Sequence, residues 1–333
     1  MAAARPLLRL VLPGLLQAPA AARPARLPAL ETLLARGRHS TAAGGIGAQQ
    51  LQEQFASLPQ LAAGAVGWLG EGGEPGDGYW LCADPVHLQP GLDQVTLLAG
   101  PQFSPTAAQA RQLADECNLA LGEQGLSLHA GRDRWYLRLQ QPLTVSTTPT
   151  LSLIGSAVYG DLPADAAGAD WLRLQNRVQM LLHASPVNAA RQAAGQAPIN
   201  AMWFWGGGVL PAAPVRRWDA VVGEGSLPRG WARLTGAEPA AADLSVLAAG
   251  RRVLVFDSRL EQALANHDLT AWEQGLHALE GQWLAPALAK LAQGRLIALE
   301  LAADGRLWRL QRSMLLRFWR RLRPWHVYRQ ESL

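Results

Sequence analysis

His183, Asn188, Arg191 and Asn200 fall in one run, H-A-S-P-V-N-A-A-R-Q-A-A-G-Q-A-P-I-N, which passes into A-M-W-F-W and then Gly206-Gly207-Gly208. Together they form a candidate ligand-binding set beside a glycine loop. Structural duty competes for two of them, since Asn188 suits a helix cap and Asn200 a turn. A second group, Asp257, Glu261, His267 and Asp268, follows the apolar run R-V-L-V-F. An acid at the C-terminal end of such a strand is where open α/β sheets hold ligand chemistry. Asp84 and His87 make a weaker pair: Pro85 keeps them off a common helical face, and two donors fall short of a metal site. In R-W-Y-L-R-L the side chains of Arg134, Tyr136 and Arg138 alternate with Trp135, Leu137 and Leu139. That alternation predicts a half-buried strand whose outer face is an anion surface or plain solvated exterior.

These residues need elements to hold them. Val178, Leu181 and Leu182 recur at helical spacing, so a helix from Asp170 to His183 is expected to stop at Pro186. A short helix capped by Asn188 and ending near Gly195 follows, then a buried strand from Ala201 to Trp205. Upstream, Leu7 to Leu12 reads as the first core strand. Arg9 and Pro13 interrupt the apolar run of Met1 to Ala22, which otherwise has the look of a secretory signal. Pro28 opens a helix that Gly37 closes, His39-Ser40-Thr41 reads as a solvated loop, and 49–61 as a further helix. Gly64 to Gly78 has the composition of a link and marks the first domain boundary. Ser104 is the expected cap of a helix through Leu121. Near the end come a helix from Leu269 to Ala292, a hairpin around Asp304-Gly305, and a tail from Arg312 to Arg329 that interleaves arginine with Phe318, Trp319 and Trp325.

A chain of 333 residues, 49% hydrophobic and 17% charged, can bury a large core. The formal net charge of +4 is too small to imply an obligate nucleic-acid binder, although the tail has the composition that single-stranded nucleic acid or an anionic surface favours. The two cysteines, Cys82 and Cys117, form no CxxC pair, as suits inert thiols in a reducing cytoplasm. No apolar run approaches the roughly 20 residues needed to span a bilayer, so no membrane partner is expected.

The order of these motifs is familiar. The run from His183 to Gly208 resembles the segment of archaeal-type cofactor-independent phosphoglycerate mutases that reads H-P-x-N-x-x-R-x-x-G-x-x-P-A-N, then strand, then glycine. L-P-A-L-E-T-L-L-A-R-G from Leu27 is similar to a helix of the alkaline phosphatase superfamily, to which those mutases belong, and P-G-D-G-Y-W-L-C-A-D from Pro75 is similar to the start of their inserted domain. The whole chain resembles bacterial regulatory proteins of the RpfE type.

The resemblance implies an α/β fold: an alkaline-phosphatase-like sheet flanked by helices, from residues 1–70 and 196–333, with a smaller α+β domain inserted at 71–195. In that superfamily two divalent metals, manganese or zinc, are held by about six carboxylate and histidine ligands and activate a Ser or Thr nucleophile. Here the first strand ends Leu12-Pro13-Gly14 without an acid, and Ala298-Leu299-Glu300-Leu301 offers one carboxylate in place of a late Asp-His pair. Asp257, His267 and Asp268 are remnant candidates at altered spacing, and no nucleophile is identified. The expectation is a mutase-like protein without a bound metal or other cofactor, which meets a phosphorylated metabolite or a protein partner near Asn188, Arg191 and Asn200. An active mutase drawing on Asp257, Glu261, His267 and Asp268, and a nucleic-acid regulator working through the tail, are the alternatives.

Overall fold

A computed structural model describes residues 5–17, 22, 26–42, 44–100, 103–122, 125–143, 147–158, 166–248 and 250–328. Met1 and Arg329, the outer limits of two stretches above, lie outside them. The chain forms two compact units, one from residues 1–58 and 213–333, the other from 59–212.

The first unit is built on β1 (Leu7–Val11), which pairs in parallel with β10 (Arg252–Phe256) on one side and β11 (Ala298–Ala303) on the other. Beyond β10 the parallel order continues through β8 (Ala220–Val222) and β9 (Glu238–Ala240). Beyond β11, β12 (Arg306–Leu310) and β2 (Arg38–Thr41) run antiparallel. The run His39-Ser40-Thr41, expected as a loop, is therefore an edge strand. Its four residues are exposed, as an edge that meets water allows.

Alternation decides the two faces of this sheet. Leu8, Leu10, Val253, Val255, Leu299 and Leu301 enter a core with Trp272, Trp283, Trp308 and the leucines of α1 (Pro28–Arg36). Arg9, Glu300 and Arg309 are register partners across three strands on the other face. Glu300, almost fully buried, accepts from Arg9 at 2.6 Å and Arg309 at 3.0 Å. The expected helix from Leu269 to Ala292 is α9 (Leu269–Leu279) and α10 (Ala285–Ala292), joined by a π-helical turn, Glu280–Leu284. Pro286 cannot donate to the preceding turn, and a widened turn accommodates that loss. The Glu280 carboxylate in this turn accepts the Ala29 and Leu30 N–H groups, capping α1.

In the second unit β3 (Tyr79–Pro90) pairs antiparallel with β4 (Val95–Leu98), β6 (Trp135–Leu139) and β7 (Ala201–Gly208), and β5 (Ser127–Ala130) extends the sheet from β6. Helices α3 (Ala63–Glu71), α4 (Ala107–Leu121) and α5 (Ala166–His183) pack on these strands. Two boundaries differ from expectation. The stretch from Gly64 is a helix rather than a link, because its glycines permit close approach: a methyl group at Gly64 would run into the Trp80 carbonyl, and one at Gly67 would sit 2.8 Å from the Tyr136 ring. The run 201–208, assigned to the large sheet from the sequence, pairs with β3 instead, which moves the boundary from 195 to 212. Thr106, not Ser104, caps α4 through a hydrogen bond from the Gln109 N–H.

Candidate functional site

In the first unit the C-terminal ends of β1 and β11 lie side by side, with Val11 in register with Ala302. The strand β11 runs two residues past Leu301, so the acid that follows it is Asp304, at the tip of the hairpin to β12. Asp304 takes a left-handed conformation, φ 46°, ahead of Gly305 at φ 83°, the pattern of a tight two-residue turn. Its carboxylate is 3% exposed. One oxygen accepts the Gly14 N–H at 2.9 Å and the Gln17 side-chain amide at 3.0 Å, and the other accepts the Leu16 N–H at 2.7 Å. Burial raises the carboxyl above its ordinary range, opposed by the N–H groups of Leu16 and Gly14. A carboxylate at the end of the late strand is thus present, without a histidine beside it. From the sequence Asp304 is expected only as a turn residue of the hairpin. The signal that was available is an acid directly after a buried apolar strand.

Glu261, on α8 (Arg259–Ala265), lies within reach of this carboxylate's charge. It accepts the Gly47 N–H at 2.7 Å, and burial, with a smaller contribution from Asp304, pushes its carboxyl up to about 7. Gly14, at φ 79°, leaves room for it: a methyl there would lie 2.8 Å from the Glu261 nitrogen. The other remnant candidates do not converge on this pair. Asp257 is held by Arg259, at 2.8 Å to Nε and 2.7 Å to Nη2. His267 is an exposed residue at φ 54° beyond the end of α8, and Asp268 caps α9 by accepting the Ala271 N–H. Asp257 and Arg259 instead line a cleft of about 280 Å³ with Gly223, Glu224 and Trp283, at the ends of β8 and β10. Among the described residues, no group of three or more His, Cys, Asp or Glu side chains could hold a metal ion.

In the second unit the motif residues divide. Asn188 lies inside α6 (Pro186–Ala193), whose cap is Ser185, and Pro186 starts this helix as well as ending the previous one. The Asn188 amide donates to the Leu182 and Ile199 carbonyls and accepts the Ile199 N–H, each at 2.8 Å. Arg191 donates to the carbonyls of Ala197, Ser104 and Phe103 and to the Gln109 side chain. Asn200 completes a strand-like pair with Leu88, donating at 2.8 Å and accepting at 2.7 Å. These contacts fasten the turn 195–200 to its surroundings. His183 is exposed, and together with Asn200, Met180 and Leu88 it lines an open cleft of about 500 Å³.

A different cluster faces a cavity of about 670 Å³, with Asp84, Arg111, Arg132, Arg134 and Thr150 among its walls. Asp84 accepts from Thr150 Oγ1 at 2.6 Å, Trp205 Nε1 at 2.7 Å and Arg134 Nε at 3.2 Å. The Arg134 guanidinium also lies over the Trp205 ring, 4.6 Å from its centroid, so charge, hydrogen bond and stacking fix one orientation. Arg111 and Arg132 are exposed. Beneath Arg134, burial pushes the Cys82 thiol up to about 12, leaving it an inert neutral group. Asp84 and His87, the weaker pair of the sequence, do not meet: three positions apart on a strand they face opposite ways, and His87 stacks on Phe103 and contacts the Pro198 carbonyl. The alternation from Arg134 to Leu139 is also modified, because Tyr136, packed against Trp68 of α3, is buried as well as Trp135, Leu137 and Leu139.

No protein-family model matches the chain. The 2,3-bisphosphoglycerate-independent phosphoglycerate mutase of Methanosarcina barkeri is 29% identical to it over 109 residues, 32% of this chain and 27% of that enzyme. The match therefore spans about a quarter of the relative's length. Among solved structures, the PH0037 protein from Pyrococcus horikoshii is similar at a TM-score of 0.50 and 13% identity, over 93% of this chain and 88% of that one. The cofactor-independent phosphoglycerate mutase from Thermoplasma acidophilum gives a TM-score of 0.40 and 16% identity, over 92% and 90%. The chain is an α/β protein with helix-flanked sheets, similar in fold to the PH0037 protein, and its relationship to the phosphoglycerate mutases is one of low identity over part of its length.

Proposed function

We propose that this chain is a phosphoglycerate-mutase-like protein of the RpfE regulatory type, which binds a phosphorylated metabolite without the two-metal chemistry of the mutases. The observation that carries the reading is Arg134. Held by Asp84 and stacked on Trp205, it borders a cavity of about 670 Å³ alongside Arg111 and Arg132. An arginine oriented before its ligand arrives binds phosphate or carboxylate with little loss of side-chain freedom. The acids of the first unit support the second half of the reading. Asp304 accepts from backbone and amide N–H groups, Asp257 is neutralised by Arg259, and burial pushes the Glu261 carboxyl up to about 7. A donor set already engaged by N–H groups does not fit a pair of divalent cations, and no step is assigned through them.

Titration calorimetry with 3-phosphoglycerate and with inorganic phosphate tests the binding half. Binding to the wild-type chain is expected, weakened by about a hundredfold in Arg134→Gln. No binding by wild type, or equal binding by the variant, removes the proposed site. A second reading, an active metal-dependent phosphotransferase, draws on Asp257 and Asp304, which follow the strands β10 and β11 on either side of β1, and on Glu261 in α8. Paired manganese or zinc at full occupancy, together with interconversion of 3- and 2-phosphoglycerate, establishes that reading and ends the first.

A further inference from the structure

The tail that follows β12 carries a feature the function above does not use. Among the described residues the large exposed apolar side chains are eleven, and five of them, Leu316, Phe318, Trp319, Leu322 and Val327, fall within 316–327. Phe318 is 81% exposed and Trp319 67%. Yet the segment is tied down at both ends. Met314 is buried, Arg36 donates to the Leu315 carbonyl, and Arg317 and Arg320 donate to the carbonyls of Arg36, Ala35 and Gly37 at the end of α1. At the far side Trp325 is buried against Trp272, ring centroids 5.4 Å apart, and Arg306 donates to the Tyr328 carbonyl. The tail is thus a fastened strap that turns its apolar side chains outward.

Its charge says what could cover it. From Arg306 to Tyr328 the sequence holds seven arginines and no acid. Among the described residues only Arg309 of these meets a carboxylate, that of Glu300. Arg306, Arg317 and Arg320 donate to carbonyls and form no ion pair among the described residues, and Arg321 and Arg323 are exposed beside the apolar group. A second copy meeting the same patch would bring like charge to like charge. A nucleic-acid strand would supply anions, but Phe318 and Trp319 stand edge to face at 80°, which is no parallel platform for successive bases, and three aliphatic side chains gain nothing from phosphate. Aliphatic and aromatic side chains flanked by arginine match the boundary between acyl chains and anionic headgroups.

We infer that residues 316–327 form a docking surface for an anionic lipid bilayer. The sequence led to no membrane partner because no run is long enough to cross one, and no helix among the described residues is; lying on a surface needs no such run. The inference is independent of the cavity at Arg134.

The test is co-sedimentation of the full chain with vesicles of equal parts phosphatidylglycerol and phosphatidylcholine, and with phosphatidylcholine alone, at low ionic strength. The wild-type chain is expected to partition about tenfold more strongly to the anionic vesicles, with salt weakening the binding. Phe318→Ser with Trp319→Ser, and separately Arg321→Gln with Arg323→Gln, are each expected to lower that partition by about tenfold, with circular dichroism and thermal midpoint unchanged because these side chains are exposed. Equal partition to both vesicles overturns the inference, as does retention of binding by the Phe318/Trp319 variant. So does a dimer in light scattering that this variant dissolves, or a single-stranded oligonucleotide that displaces the vesicles.

Discussion

Replacing Glu261 by glutamine probes the acid pair at the edge of the first unit's sheet. Burial holds the Glu261 carboxyl at about 7 against an ordinary value of 4.5. In the unfolded chain this group ionises near the ordinary value, so between those limits the folded state carries the additional proton. Stability from this source is therefore complete below pH 4.5 and is lost as pH rises towards 7. At about 1.4 kcal/mol for each tenfold change in proton affinity, the full loss is about 3 kcal/mol. Glutamine keeps a carbonyl oxygen for the Gly47 N–H and cannot ionise. The variant should match the wild type near pH 4 and exceed it by about 3 kcal/mol near pH 8, in urea denaturation followed by circular dichroism. Taking the difference between the two proteins removes the opposing contribution of His129, whose pKa burial lowers. A difference that stays constant from about pH 4 to 8, or that grows towards acid, would refute the argument.

The same edge gives a second test: Gly14→Ala meets both a left-handed φ and the Glu261 backbone at 2.8 Å, and should destabilise by about 2–4 kcal/mol in the same denaturation assay. Glu300→Gln keeps the shape of the buried acceptor while leaving Arg9 and Arg309 without their counter-charge. A loss of about 2 kcal/mol is expected, seen as a lower thermal midpoint, and an unchanged midpoint would mean that water replaces the carboxylate at no cost.

Much of the fold was legible because period and punctuation agree. Leu8 and Leu10 alternate with Arg9, Val253 to Phe256 form an unbroken apolar run, and Pro28 and Gly37 bracket α1. The misreadings arose where one residue serves two purposes. Gly64 looked like the start of a flexible link, but its missing side chain is what lets α3 approach the Trp80 backbone. Ala201 to Gly208 is apolar enough for either sheet, and only the long-range pairing with β3 decides between them. The site was harder still. Asn188, Arg191 and Asn200 have the composition of a ligand set, but the number of backbone partners each meets depends on Leu182, Ile199, Phe103 and Leu88, which local sequence does not bring together. Arg134 and Asp84 lie fifty positions apart, and Trp205 comes from a third strand. Asp304 was hidden by its own good fit to a hairpin turn.

The central strand has a consequence for how the chain is made. Residues Leu7–Val11 leave the ribosome long before both strands they pair with, Arg252–Phe256 and Ala298–Ala303. The unit of residues 59–212 is continuous and can close while synthesis goes on. The strand β1 meanwhile waits with its leucines unpartnered, and chaperone binding during translation should concentrate on it.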